Sequence, residues 1–119
     1  MNSPTAPMLN HEKLDRYQLA VELLGLFAQL AETFPRGHGP LSDQLRRASL
    51  SIPLNIAEGY GKRSIADRSR FYDIARGSAH ECGAIIDAAH KLGFVSVPEF
   101  NQVKGLLVRV VSMLVKMTG

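Results

Sequence analysis

The chain has a single cysteine, Cys82, and no tryptophan among its 119 residues. One thiol excludes an internal disulfide framework and any zinc site built from several cysteines. Long apolar runs are missing as well; no stretch approaches the ~20 residues that span a bilayer. The first eight residues, Met1 to Met8, carry prolines, Ser3 and Thr5. They show neither the basic start nor the apolar stretch of a secretion signal. These absences lead us to expect a reduced, cytoplasmic protein with no membrane association and no metal or other cofactor.

What is present is an ordinary composition, 45% hydrophobic and 21% charged. That suits one core and argues against general disorder. Fourteen basic and eleven acidic side chains leave a formal charge of +3. Such an excess permits an acidic partner, RNA or DNA, without requiring one. The excess is local. Residues 36–76 hold eight basic and four acidic side chains, whereas residues 1–35 hold two and four.

Residues 1–9 read as a flexible tail and 10–119 as one all-α domain of four helices. The first is expected from Asn10 to Phe34. One apolar seam is Leu14, Tyr17, Val21, Leu24, Ala28 and Ala31, and a second beside it is Leu23, Phe27, Leu30 and Phe34, so the helix is expected to touch neighbours on two sides. The segment Pro35 to Pro40 ends it. The second runs from Ser42, taken as its N-cap, to Tyr60, with Leu45, Ala48, Ile52 and Ile56 facing inward. Pro53 falls inside it and predicts a kink, because it removes one helical bond and clashes with the preceding turn. A split into two helices is the other reading. Gly59 and Gly61 are expected to close the segment.

Ser64-Ile65-Ala66-Asp67 resembles a capping box opening the third helix, whose seam is Phe71, Ala75, Ser78, Cys82, Ile85, Ala89 and Leu92. Gly93 stops it. Ser96-Val97-Pro98-Glu99 opens the fourth, with Phe100, Val103, Leu107, Val110, Leu114 and Met117 inward. Short links imply an antiparallel up-down bundle. The first and fourth helices carry more apolar surface than one bundle needs, which predicts self-association.

Several sharper motifs fail. Gly59-Tyr60-Gly61-Lys62-Arg63-Ser64 hints at a phosphate-binding loop, but Ile56 stands where its first glycine belongs and Arg63 separates Lys62 from Ser64. Asp87 and His90 imitate one arm of a di-iron site that has no second arm. His80 and Cys82, two apart on a helix, point to different sides. Ser51, Asn55, Glu58 and Lys62 line one stripe of the second helix, suited to hydrogen bonds around Pro53 or to a subunit contact. Gly77 and Gly83 would let another helix approach closely. Glu81, set among small and apolar neighbours, is expected to be partly buried and to need a cation, Arg46 or Arg47 of the same bundle or of an adjacent subunit. A hydrolase using Glu58 or Glu81 would need a polar pocket around a shifted carboxylate.

The segment Arg46 to Gly59 resembles the signature of the small four-helix-bundle proteins encoded in intervening sequences of bacterial 23S ribosomal RNA genes. Phe71, Ala75, Gly77, Ser78 and Glu81 match its second block. The likeness is specific from Phe34 to about Gly93. More distantly, the chain is similar to the accessory variability determinant of diversity-generating retroelements, a basic five-subunit barrel that binds reverse transcriptase and nucleic acid. The resemblance implies a ring-like homopentamer without enzymatic activity. Ser51, Pro53, Asn55, Glu58, Gly77, Ser78 and Glu81 then serve structure or subunit contact. Ala79, His80, Cys82 and Gly83 depart from the family pattern, as does the short Arg36–Pro40 loop, which bears on local subunit contacts.

Lys62, Arg63, Arg68 and Arg70 cluster at the turn between the second and third helices. They are the expected phosphate contacts, acting by counterion release. Arg46 and Arg47 are either structural or pore-lining additions. A merely solvated turn is the plainer alternative. Tyr60, Phe71 and Tyr72 are the aromatics nearby, too few to suggest stacking of single strands, so recognition of backbone or shape is expected. The resemblance implies RNA or DNA as the partner, with a reverse transcriptase as a further candidate; the alternative expectation is a scaffold docking an acidic protein.

Overall fold

The computed structural model describes residues 6–118. A 3-10 turn at Asn10–Lys13 leads into four helices: α1 Asp15–Glu32, α2 Gly39–Tyr60, α3 Ile65–Lys91 and α4 Val97–Thr118. No strand occurs among the described residues. Residues 1–5 of the expected tail, and the side chain of Met117, lie outside them. α1 packs on α2 and α4, and α3 packs on the same two. The α1–α2 and α3–α4 pairs therefore form opposite sides of the domain. Leu23, Phe27, Leu45, Ile52, Ile56, Tyr72, Cys82, Ile86, Val103, Val110 and Leu114 fill the space between.

The first helix is shorter than its periodicity suggests. Leu14 sits at φ −76°, ψ 130°, extended backbone that separates the 3-10 turn from α1. The Glu12 carboxylate accepts the Leu9 N–H, and the Gln18 side chain donates to the Glu12 carbonyl at 2.9 Å. α1 meets neighbours on two sides, α2 and α4, as its two seams imply, but the seams are buried unequally. Leu23, Phe27 and Leu30 face the core, with Leu19, Ala20 and Ala31. Tyr17, Leu24 and Ala28 stay half-buried, and Val21 is 42% exposed. The seam with the larger side chains removes more apolar area from water, so it faces in.

α2 begins at Gly39, with His38 in the N-cap position and Pro40 in the first turn. Proline suits that position because its missing N–H would be unpaired there anyway. Ser42 is therefore not the N-cap. It is buried inside the helix, and its hydroxyl donates 3.0 Å to the Ala31 carbonyl, one of the last-turn acceptors of α1. α2 continues as one element through the buried Pro53. Gly61 closes it, whereas Gly59 lies within it. A Cβ at Gly59 would meet Tyr72 Cε1 at 2.9 Å and Phe71 Cβ at 3.0 Å. Gly59 is thus a point of close helix approach, not a stop.

The remaining ends follow the sequence. Ser64 Oγ accepts the Asp67 N–H at 3.1 Å to cap α3. Gly93, at φ +85°, lets its own N–H reach the His90 carbonyl and that of Phe94 reach Ala89. This is the Schellman closure. At α4 the box is reciprocal: Glu99 N–H donates to Ser96 Oγ, and Ser96 N–H to Glu99 Oε1 at 3.0 Å.

Candidate nucleic-acid interface

The turn joining α2 to α3 gathers Lys62, Arg63, Arg68 and Arg70 at one end of the domain. Asp67 is the acid among them in the sequence. Lys62 pairs with Glu58 one helical turn away, at 3.3 Å. Among the described residues, no carboxylate lies within 4.0 Å of Arg63, Arg68 or Arg70. Arg68 is held in place, since its Nε donates to the Lys62 carbonyl at 2.7 Å and its Cζ lies 5.7 Å from the Tyr60 ring centre. Arg70 and Lys62 both lie over Phe71, at 4.7 and 5.1 Å. Cation–ring contacts of this kind add about 0.5–1 kcal/mol each at exposed sites.

Arg16, on the inner face of α1, belongs to the same end and was not singled out in the sequence. Its Nη2 donates 3.3 Å to the Tyr72 hydroxyl, and its Cζ lies 5.3 Å from that ring centre. Its Nε is buried without a hydrogen-bond partner. The available signal was its phase: Arg16 precedes Leu19, Leu23 and Leu30 on the stripe that faces inward.

Arg46 and Arg47 do not join the turn. They are exposed near the middle of α2, about 20 Å along the axis from Tyr60. Arg46 pairs with Asp43 at 3.5 Å, not with Glu81. Glu81 is exposed, and the Gln44 side chain donates to it. The expectation that Glu81 is partly buried within the bundle and paired with an arginine of the same chain is thus corrected. The small neighbours of Glu81 on its stripe, Gly77 and Ala84, lie on the outer surface of α3.

The Ser51 stripe ties α2 to α3. Ser78 Oγ donates 2.8 Å to Ser51 Oγ, and Asn55 Nδ2 donates back to the Ser51 carbonyl and hydroxyl at 2.8 and 3.0 Å. A Cβ at Gly77 would meet nothing within 4 Å, so no close approach occurs there within the chain. At Gly83 the nearest atoms are Lys104 Nζ at 3.8 Å and Leu107 Cδ1 at 3.9 Å, ordinary contact.

Apolar side chains remain uncovered on both opposite sides. Val21, Leu50 and Leu54 are 42%, 45% and 58% exposed on α1 and α2. Between α3 and α4 runs a shallow groove of about 360 Å³, floored by Ala79, Gly83, Leu107 and Val111. Val108, on its wall, is 64% exposed. Asp87 at the rim pairs with Lys104 at 2.8 Å, and His90 Nδ1 lies 2.9 Å from the Val95 carbonyl. No group of three or more His, Cys, Asp or Glu among the described residues could hold a metal ion. No helix of the described residues is long and apolar enough to cross a membrane. Burial, reinforced by the Glu81 charge, pushes the Cys82 thiol up to about 12.

The family model of the 23S rRNA-intervening sequence protein matches residues 12–116. A crystal structure of a protein of unknown function from the S23 ribosomal protein family of Bacteroides thetaiotaomicron is similar in fold, with a TM-score of 0.81. It is 17% identical, and the alignment covers 87% of this chain and 97% of that one. No curated protein matches the chain.

Proposed function

Since the chain belongs to the family of 23S rRNA-intervening sequence proteins, we propose that it is a non-catalytic, homo-oligomeric nucleic-acid-binding protein that grips phosphates at the α2–α3 turn. One observation carries this reading: Arg63, Arg68 and Arg70 share one end of the domain, and no carboxylate among the described residues lies within 4.0 Å of them. Uncompensated guanidinium groups attract phosphate, and each phosphate contact releases counterions.

The finer form of the proposal is a cytoplasmic, ring-like homopentamer of antiparallel up-down bundles, each with α2 bent at Pro53. Apolar surface on opposite sides of the protomer supports association of successive copies. A ring of five repeats the basic turn five times around one rim. A role as accessory factor to a reverse transcriptase fits such a rim. Gly77 and Glu81 on α3 and Glu58 on α2, all exposed, then serve the assembly, while Ser51, Asn55 and Ser78 tie α2 to α3 within each copy.

The test is anisotropy of a labelled structured RNA, titrated at several salt concentrations, with duplex DNA as competitor. Replacing Arg63, Arg68 and Arg70 by Gln should weaken binding and lower the salt slope by about 2–3, close to one per lost phosphate contact. An unchanged slope refutes the site. No binding even at low salt refutes the reading and leaves the cations to an acidic protein partner.

A further inference from the structure

Resting on the nucleic-acid reading, we propose that the α2–α3 turn takes an unpaired nucleotide, its base stacked on Arg70 over Phe71 and its phosphates held by Arg63 and Arg68. Three of the four cations in the turn lie on aromatic rings: Arg70 and Lys62 on Phe71 at 4.7 and 5.1 Å, and Arg68 on Tyr60 at 5.7 Å. The aromatics are few in the sequence, but the fold sets them beneath the charges.

The stack is anchored from below. The Phe71 Cβ abuts Gly59, where an added methyl would come within 3.0 Å of it. The backbone of Phe71 is thus fixed against α2. Arg70 is exposed and has no carboxylate within 4.0 Å among the described residues. A guanidinium held over a ring gives up part of its freedom before a ligand arrives, and guanidinium planes are suited to stacking on a nucleobase. Base faces are hidden inside a duplex and splayed out in loops, bulges and ends. Lys62, already paired with Glu58, adds less net charge and more packing. The arrangement therefore selects unpaired RNA or DNA over duplex at equal phosphate count.

The experiment compares the full chain on a hairpin RNA and on the same hairpin with an abasic loop, which keeps every phosphate and removes the loop bases. Binding to the intact loop should be about tenfold tighter, within the range that stacking of a single base supplies. Phe71→Leu and Arg70→Lys should each erase that preference while leaving the salt slope unchanged. Arg70→Lys lies on the surface and keeps the charge, so it reports even if Phe71→Leu fails to fold. Equal, salt-sensitive affinity for both hairpins overturns the stacking proposal and leaves phosphate binding standing. Absence of binding to either RNA at low salt overturns both.

Discussion

Gly59→Ala adds one methyl group at the tightest point between α2 and α3. The methyl carbon would lie 2.9 Å from Tyr72 Cε1, 3.0 Å from Phe71 Cβ and 3.1 Å from Tyr72 Cδ1. Comfortable carbon contacts are about 3.5–4.0 Å, so all three fall short. Neither neighbour can yield cheaply. Tyr72 is 1% exposed and its hydroxyl is tied to Arg16, while Phe71 Cβ moves only with α3 itself. Overpacking of this kind costs ~1–3 kcal/mol, against which alanine gains at most ~1 kcal/mol in helix propensity. With the full propensity gain subtracted, the expected net loss is ~0–2 kcal/mol, centred near 1.

Gly25→Ala is the control. Gly25 lies within α1, and its added Cβ meets nothing within 4 Å. There the propensity gain of ~1 kcal/mol stands alone. Urea unfolding followed by far-ultraviolet circular dichroism, at one fixed protomer concentration, should move the two midpoints in opposite directions at constant slope. A Gly59→Ala midpoint at or above that of the wild type refutes the close-approach reasoning.

Two further outcomes are expected. Ser42→Ala removes the buried bond to the Ala31 carbonyl at the C-terminal end of α1, and should cost ~1 kcal/mol in the same unfolding assay; an unchanged midpoint would show that the bond contributes nothing. Cys82 should resist thiol reagents in the folded chain and react on denaturation, because burial and the Glu81 charge hold it protonated up to about 12. The folded pKa is raised, so this stabilisation is complete below the ordinary thiol value of 9.0 and is lost as pH climbs toward about 12. Cys82→Ala should accordingly flatten the alkaline decline in stability, and an identical decline in both proteins would contradict the shift.

Much of the fold was legible because single-helix periodicity and capping are local properties. Leu45, Ala48, Ile52 and Ile56 all face inward as spaced, and the Ser96–Glu99 box forms as written. What failed depended on relations between helices. Both α1 seams meet neighbours, but periodicity alone does not say which one is buried more deeply. Ser42 looked like a cap because capping and buried bonding use the same hydroxyl; Pro40, two residues earlier, was the better marker of the start of α2. Glu81 was assigned an arginine because its small and apolar neighbours implied burial, although its stripe faces outward and the register between α2 and α3 brings Gln44 to it. In the candidate site the charges were readable, but the cation–ring contacts depend on how the turn folds back on Phe71 and Tyr60. Arg16 was missed because it is far from the turn in sequence and reaches that end through Tyr72.

Placement of the uncovered apolar surface decides what kind of assembly the proposed oligomer can be. A two-fold dimer pairs one patch with its own copy and leaves the opposite patch bare. Pairing the α1–α2 side of one copy with the α3–α4 groove of the next uses both patches on every copy, and such a heterologous contact closes into a ring when the rotation permits. Leu54 is 58% exposed on one side and Val108 64% on the other, so a glutamate at either position leaves the protomer core intact. Under heterologous pairing, Leu54→Glu alone and Val108→Glu alone should each run as monomers in light scattering. Mixed in equal amounts, they should form dimers and nothing larger, because each pair retains one undamaged side and one undamaged groove. A two-fold dimer behaves differently: one of the two variants keeps its mass and mixing changes nothing. That second pattern would refute the ring, while leaving the basic turn and its phosphate chemistry to be judged on the RNA titrations.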